Sequence, residues 1–214
     1  MQNNPVFALD DQQEIARIIR ENPWATLVSA PESGLVASHY PVLLDEGESQ
    51  LTVLSHFGRA DAELHEIGRH ELLITFQGAH GYISSGWYDE DHSVPTWNFF
   101  AVHLAGIPEI LTPDENLRVL NRFVDHFEGA THTPRRLMST EADEKYATRL
   151  AQGTVGIRLV PTRVTAKRKM SQNRSEQTIS RIMHELADGG PYANSALLDE
   201  MRRIHGDDGS TENS

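Results

Sequence analysis

The sequence predicts an α+β fold, a small β-barrel with helices at its corners and a helical extension at the C-terminal end. Three observations carry this. Runs rich in β-branched and apolar residues recur between turn signals over residues 24–170. Apolar residues at helical spacing fall between or after those runs. A length of 214 residues with 38% hydrophobic content suits one sizeable core.

In chain order, Asp10 is an N-cap candidate, and Ile15, Ile18 and Ile19 recur at helical spacing over residues 11–22. Residues 24–30 (WATLVSA) and 35–44 (LVASHYPVLL) form a hairpin turned by Pro-Glu-Ser-Gly. A third strand, 51–57, leads into a short helix bearing Ala60, Leu64 and Ile67. Residues 72–77 read as a buried strand broken by Gly78, with another beginning at Gly81. After a polar loop comes 94–111, the longest strand-like segment.

Thr112-Pro113-Asp114-Glu115 joins a capping box to a proline at the first helical position, so a helix runs from there to Gly129 with the stripe Leu117, Leu120, Phe123, Val124 and Phe127. A shorter helix is expected over 141–152, then a strand over 154–170. Two helices close the chain, one marked by Ile179, Ile182, Met183 and Leu186, the other by Leu197, Leu198, Met201 and Ile204. The expected division is a barrel domain over 1–172, a helical extension over 173–205 and a disordered tail over 206–214.

Cysteine is absent, which removes disulfides, thiolate metal sites and thiol nucleophiles together. No apolar run reaches the ~20 residues of a membrane span and the amino-terminal ten residues lack an export pattern, so a cytoplasmic protein without membrane partners is expected. The net charge of −12 opposes non-specific attraction to nucleic acid. Charge is unevenly spread. Residues 1–150 hold 10 basic and 23 acidic side chains, whereas 151–214 hold 9 and 8.

Eleven histidines show no ligand spacing, so no protein-held metal is expected. His65, His126, His132, His184 and His205 read as solvated; His39, His56, His80 and His103 lie on or beside strands. Neither a nucleophile elbow nor a glycine-rich dinucleotide motif occurs. The segment Ser55-His-Phe-Gly-Arg-Ala-Asp61 has two readings: an ordinary strand-to-helix turn, or an anion site made of donors, a glycine and an arginine opening a helix. Arg163, Thr165, Lys167 and Lys169 alternate along one strand face, as either a solvated edge guarded by lysine or a seat for an anionic cofactor. Around Trp97 both strand faces are apolar, which fits core packing, a partner chain, or a planar cofactor stacked on the indole.

Four segments together resemble the PaiB family of FMN-binding negative transcriptional regulators. They are Ser38-His-Tyr-Pro41; Ser55-His-Phe-Gly-Arg-Ala60; Phe76-Gln-Gly-Ala-His-Gly-Tyr-Ile-Ser-Ser-Gly-Trp-Tyr88 with Val94-Pro-Thr-Trp-Asn98; and Lys169-Met-Ser-Gln-Asn173. The resemblance covers residues 5–186 and implies an FMN-binding split β-barrel, a homodimer with flavin at its interface. It implies a cofactor wall of Ser38, His39, Ser55, His56, Arg59, Lys169, Ser171 and Gln172, with Trp97 and Asn98 supplied by the partner subunit. Asp61 stands where the family carries asparagine, adding negative charge beside the expected phosphate site. The implied function is flavin-dependent negative regulation of transcription. FMN-dependent oxidoreduction is the alternative, followed by haem binding or haem utilisation. Direct DNA binding lacks a basic recognition helix.

Overall fold

The computed structural model describes residues 4–89 and 92–206. The expected tail beyond Gly206 lies outside them. The chain forms two compact units, one made of residues up to 11, 77–102 and 165 onward, the other of 12–76 and 103–164.

In the second unit the helix α1 (Gln12–Glu21) buries Ile15, Ile18 and Ile19, and Arg17 is ion-paired with Glu14 at 3.1 Å and Glu21 at 2.6 Å. The strands β2 (Trp24–Ser29) and β3 (Val36–Leu44) pair antiparallel with Thr26 opposite His39, and β4 (Val53–Gly58) joins β3 with Val42 opposite Ser55. The short α2 (Arg59–Leu64) follows directly. β8 (Thr154–Leu159) pairs with β4, and the two-residue β7 (Glu109–Ile110) pairs with β8. α3 (Pro113–Glu128) starts at the expected capping box, with Thr112 N donating to Glu115 Oε2 at 2.9 Å, and α4 (Glu141–Ala151) precedes β8.

Leu43, Leu54, Leu111, Val119 and Phe123 form one buried cluster. The buried stripe of α3 is Asn116, Val119 and Phe123, so the helix is turned relative to the stripe expected from its leucines; Phe127 is exposed. Asn116 explains the rotation. Its Nδ2 donates to Thr154 Oγ1 at 2.9 Å and to Ala151 O at 3.3 Å, tying α3 to the α4–β8 junction. The donor bonds of its amide form only with this face inward, while Oδ1 is buried without a partner among the described residues.

Strands β5 (Leu72–Ile83), β6 (Thr96–Gly106) and β9 (Arg163–Lys169) each have residues in both units. β5 pairs with β2 in the second unit, Thr26 opposite Thr75. In the first unit the short β1 (Ala8–Leu9) pairs with β9, Ala8 opposite Lys167. α5 (Glu176–Ala187) and α6 (Ser195–His205) bury Ile182, Leu186, Leu197 and Met201 there.

Three boundaries differ from expectation. β5 continues through Gly78, since a glycine weakens a strand interior but keeps the N–H and C=O that a ladder needs. The segment after Val94 ends at Gly106, ahead of Pro108, and the long late strand divides around Pro161; proline has no N–H for a ladder. Among the described residues no helix is long and apolar enough to cross a membrane.

A Cβ added to Gly156 on β8 would stand 2.5 Å from Asn116 Oδ1. Gly156→Ala is therefore expected to destabilise the fold by ~1–3 kcal/mol in chemical denaturation, whereas an unchanged midpoint would show that α3 shifts freely.

Candidate functional site

The cofactor-wall residues expected from sequence fall into two groups, one per unit. In the first unit the end of β9 is the organising feature. Ser171, just past the strand, takes the left-handed backbone conformation at φ 62°, an uncommon choice for a residue with a Cβ. Buried Asn98 on β6 fixes it, with Nδ2 donating to Ser171 Oγ at 2.9 Å and the serine hydroxyl lying 3.3 Å from Asn98 Oδ1. Gln172 stitches the same turn, accepting from Met170 N at 2.7 Å and donating to Arg168 O at 2.5 Å and Val6 O at 3.2 Å. His205, expected in solvent, hydrogen-bonds Met170 O at 2.8 Å through Nε2.

This framework presents Lys169. The ammonium is half-buried, hydrogen-bonds Thr96 Oγ1 and lies 5.8 Å from the centre of the Phe7 ring. Burial, with Arg174 and Lys167 adding repulsion, holds it below the ordinary lysine value. Among the described residues no carboxylate is ion-paired with Lys167 or Lys169. Two neighbouring lysines without a paired carboxylate favour a bound anion.

Trp97 is 54% exposed and belongs to an aromatic cleft of about 380 Å³ in the same unit. Its ring lies 6.3 Å from that of His80 and 6.4 Å from that of Tyr82, and Tyr82 is 4.9 Å from Tyr192.

The second unit holds Ser38, His39, Ser55, His56 and Arg59. Ser55 is fully buried and donates to Pro41 O at 2.8 Å. His56 packs edge-on against Phe123 and Tyr40, with Nδ1 buried and unpartnered. His39 is exposed beside Trp24, the rings 6.4 Å apart. The Arg59 guanidinium donates to Gln152 O at 2.7 and 3.0 Å and so caps the end of α4. Its Nη1 remains unoccupied, and the side chain borders two clefts of about 410 and 350 Å³.

The sequence reading missed the network beside this group. His65, expected to be solvated, is 1% exposed, with Nδ1 2.8 Å from Ser29 Oγ and Nε2 3.0 Å from Ser38 Oγ. The charge of Asp61 is absorbed here. Its Oδ2 accepts from Tyr40 OH at 2.7 Å and from Ser38 Oγ at 3.4 Å, while Gly58 N donates to the same phenol oxygen at 3.1 Å. The unusual aspartate was the available signal, since a carboxylate at a helix start needs partners. Among the described residues no three His, Asp or Glu side chains group as metal ligands.

Residues 1–163 match the family described as "Putative FMN-binding domain". The chain belongs to this family. It is 28% identical to "Protease synthase and sporulation protein PAI 2" of Bacillus subtilis over 181 residues, 84% of this chain and 86% of that protein, which places it with the PaiB proteins. Among solved structures it is similar to the "FAD and Heme binding protein from Mycobacterium smegmatis" (TM-score 0.58, 13% identity, 81% of this chain and 78% of that one). It is also similar to the "Flavocytochrome Anf3 from Azotobacter vinelandii" (TM-score 0.57, 18% identity, 76% and 69%). The fold is the α+β flavin-binding split barrel, and the family's cofactor is a flavin, FMN by its description. The residues of the first unit fit such a group by their donor chemistry: Lys167 and Lys169, with no ion-paired carboxylate among the described residues, suit an anionic group.

Burial pushes His56 and His65 below the ordinary value of 6.5. The folded protein therefore keeps both rings neutral, and the stability they contribute is present above pH ~6.5 and lost as pH falls toward their depressed values. Denaturation midpoints are expected to fall from pH 7 to pH 5, and His65→Gln should flatten that fall. A slope unchanged by the substitution would assign the effect elsewhere.

Proposed function

We propose that this protein is a homodimeric FMN protein that exerts any negative regulation through the state of its flavin and not through a DNA-reading helix. The single observation carrying the cofactor assignment is the Lys167–Lys169 face, cationic, partly buried and without carboxylate partners in an acidic chain. Bound FMN supplies reversible one- and two-electron chemistry. The protein's part is to hold and orient it. Lys169 neutralises an anionic group of the cofactor, Lys167 adds charge beside it, and the Asn98–Ser171 pair with the Gln172 side chain keeps the turn rigid.

A sheet face in the second unit supports the dimer. Trp24, 65% exposed, lies with Thr26 and Val28 on the outward side of β2, opposite Pro41, His39 and Ala37, and Leu73 and Thr75 continue the same side on β5. No lysine, arginine, aspartate or glutamate interrupts it. Such a face calls for cover, and a second copy supplies a matching one.

The helical extension argues against direct DNA recognition. Its α6 arginines each lie one turn from a carboxylate, Arg202 by Asp199 at 3.8 Å and Arg203 by Glu200 at 3.9 Å, which offsets the positive potential a phosphate backbone would meet there. The Bacillus subtilis relative is named for protease synthase and sporulation, which is compatible with a regulatory output, and the flavin supplies a route to one.

Three outcomes test this reading. Anaerobic addition of a reduced nicotinamide cofactor should bleach the flavin band, whereas colour unchanged by every common reductant contradicts a redox role. Lys169→Ala should weaken FMN retention about tenfold or more, the order expected for one charge-assisted bond of ~1.5–3 kcal/mol. Because the Lys169 proton is held loosely, wild-type affinity should fall as pH rises through the alkaline range below 10.5, and Lys169→Arg should remove that fall. Equal affinity in all three proteins would move the anion site away from β9.

A further inference from the structure

We propose that the aromatic cleft of the first unit is a separate binding site for a planar, cationic nitrogen heterocycle of the pyridinium class. Its walls are Trp97, Tyr82, Tyr192 and His80, with Trp97 and Tyr192 each more than half exposed. A volume of about 380 Å³ accommodates one ring with its substituents.

The cleft is built, not incidental. Asn194 holds the wall carrying Tyr192 by two bonds, Nδ2 donating to His80 O at 2.9 Å and Oδ1 accepting from Leu197 N at 3.0 Å. Its floor is Gly81, where a Cβ would stand 2.9 Å from Leu197 Cδ2 and 3.1 Å from Asn194 Nδ2, so only bare backbone brings β5 this close to the start of α6. With the strand and the helix start tied together, the rings need no reordering to receive a ligand.

The lining selects the ligand. Among the described residues no lysine or arginine lines it to hold a phosphate or carboxylate, and no aspartate or glutamate lines it to hold a simple ammonium ion. What remains is the negative face of indole and phenol rings, which attracts a cation lying flat and desolvates it on one side. A pyridinium meets both demands, being flat and positively charged. The net charge of −12 favours approach of such a ligand. Apart from Trp97, none of the lining residues belongs to the cofactor wall expected from sequence, and the site does not draw on the Lys169 ammonium.

The test titrates the purified, flavin-containing protein with 1-methylnicotinamide and with neutral nicotinamide, read by calorimetry and by tryptophan fluorescence. Saturable binding of the cation, about tenfold tighter than the neutral ring, is expected. Tyr192→Ala should weaken it about tenfold and Tyr192→Phe should retain it, because the ring face and not the hydroxyl makes the contact; flavin content should stay unchanged in both. Equal affinity for the two ligands, indifference to Tyr192→Ala, or release of flavin on adding the cation would each overturn the proposal.

Discussion

Like charges held close together and partly out of water repel unless something of opposite sign joins them. Lys167 and Lys169 are in that position at the end of β9, on a chain with twelve more acidic than basic side chains. The surrounding structure prevents escape. Ser171 is locked in a left-handed turn by buried Asn98, and Gln172 spends its whole amide on the backbone of the same segment. Lys169 therefore cannot swing into solvent without leaving Thr96. An anionic cofactor relieves the repulsion, and the family to which the chain belongs has one.

Much of this architecture was legible in sequence because it rests on local chemistry. The capping box at Thr112, the isoleucines of α1 and the hairpin turn before Leu35 each act within a few residues of themselves. The prolines at 108 and 161 set strand limits for an equally local reason, the missing N–H, although their weight against long apolar runs was not evident before the pairing was known. The positive segment was visible as a charge asymmetry.

Long-range pairing of polar groups was not legible. The leucines of α3 suggested one buried face, yet Asn116 sits in the core because its partners are Ala151 and Thr154, some 35 residues later. His65 looked solvated on a short helix and instead bridges two serines from different strands. Asp61 looked like an obstacle to an anion site, but Tyr40 and Ser38 hold its carboxylate, so its charge is spent inside the second unit. In each case the local pattern fixed which element forms, and only the tertiary partner decided which side chain turns inward. The expected site residues divide the same way: Ser55 and Asn98 carry internal bonds, while Lys169 and Arg59 keep capacity for a ligand.

Native mass spectrometry of the freshly purified protein tests the central claim most directly. The account predicts two chains of 24.0 kDa carrying FMN, released as free FMN on activation. A monomer without flavin, or a complex whose released ligand is haem, would contradict it.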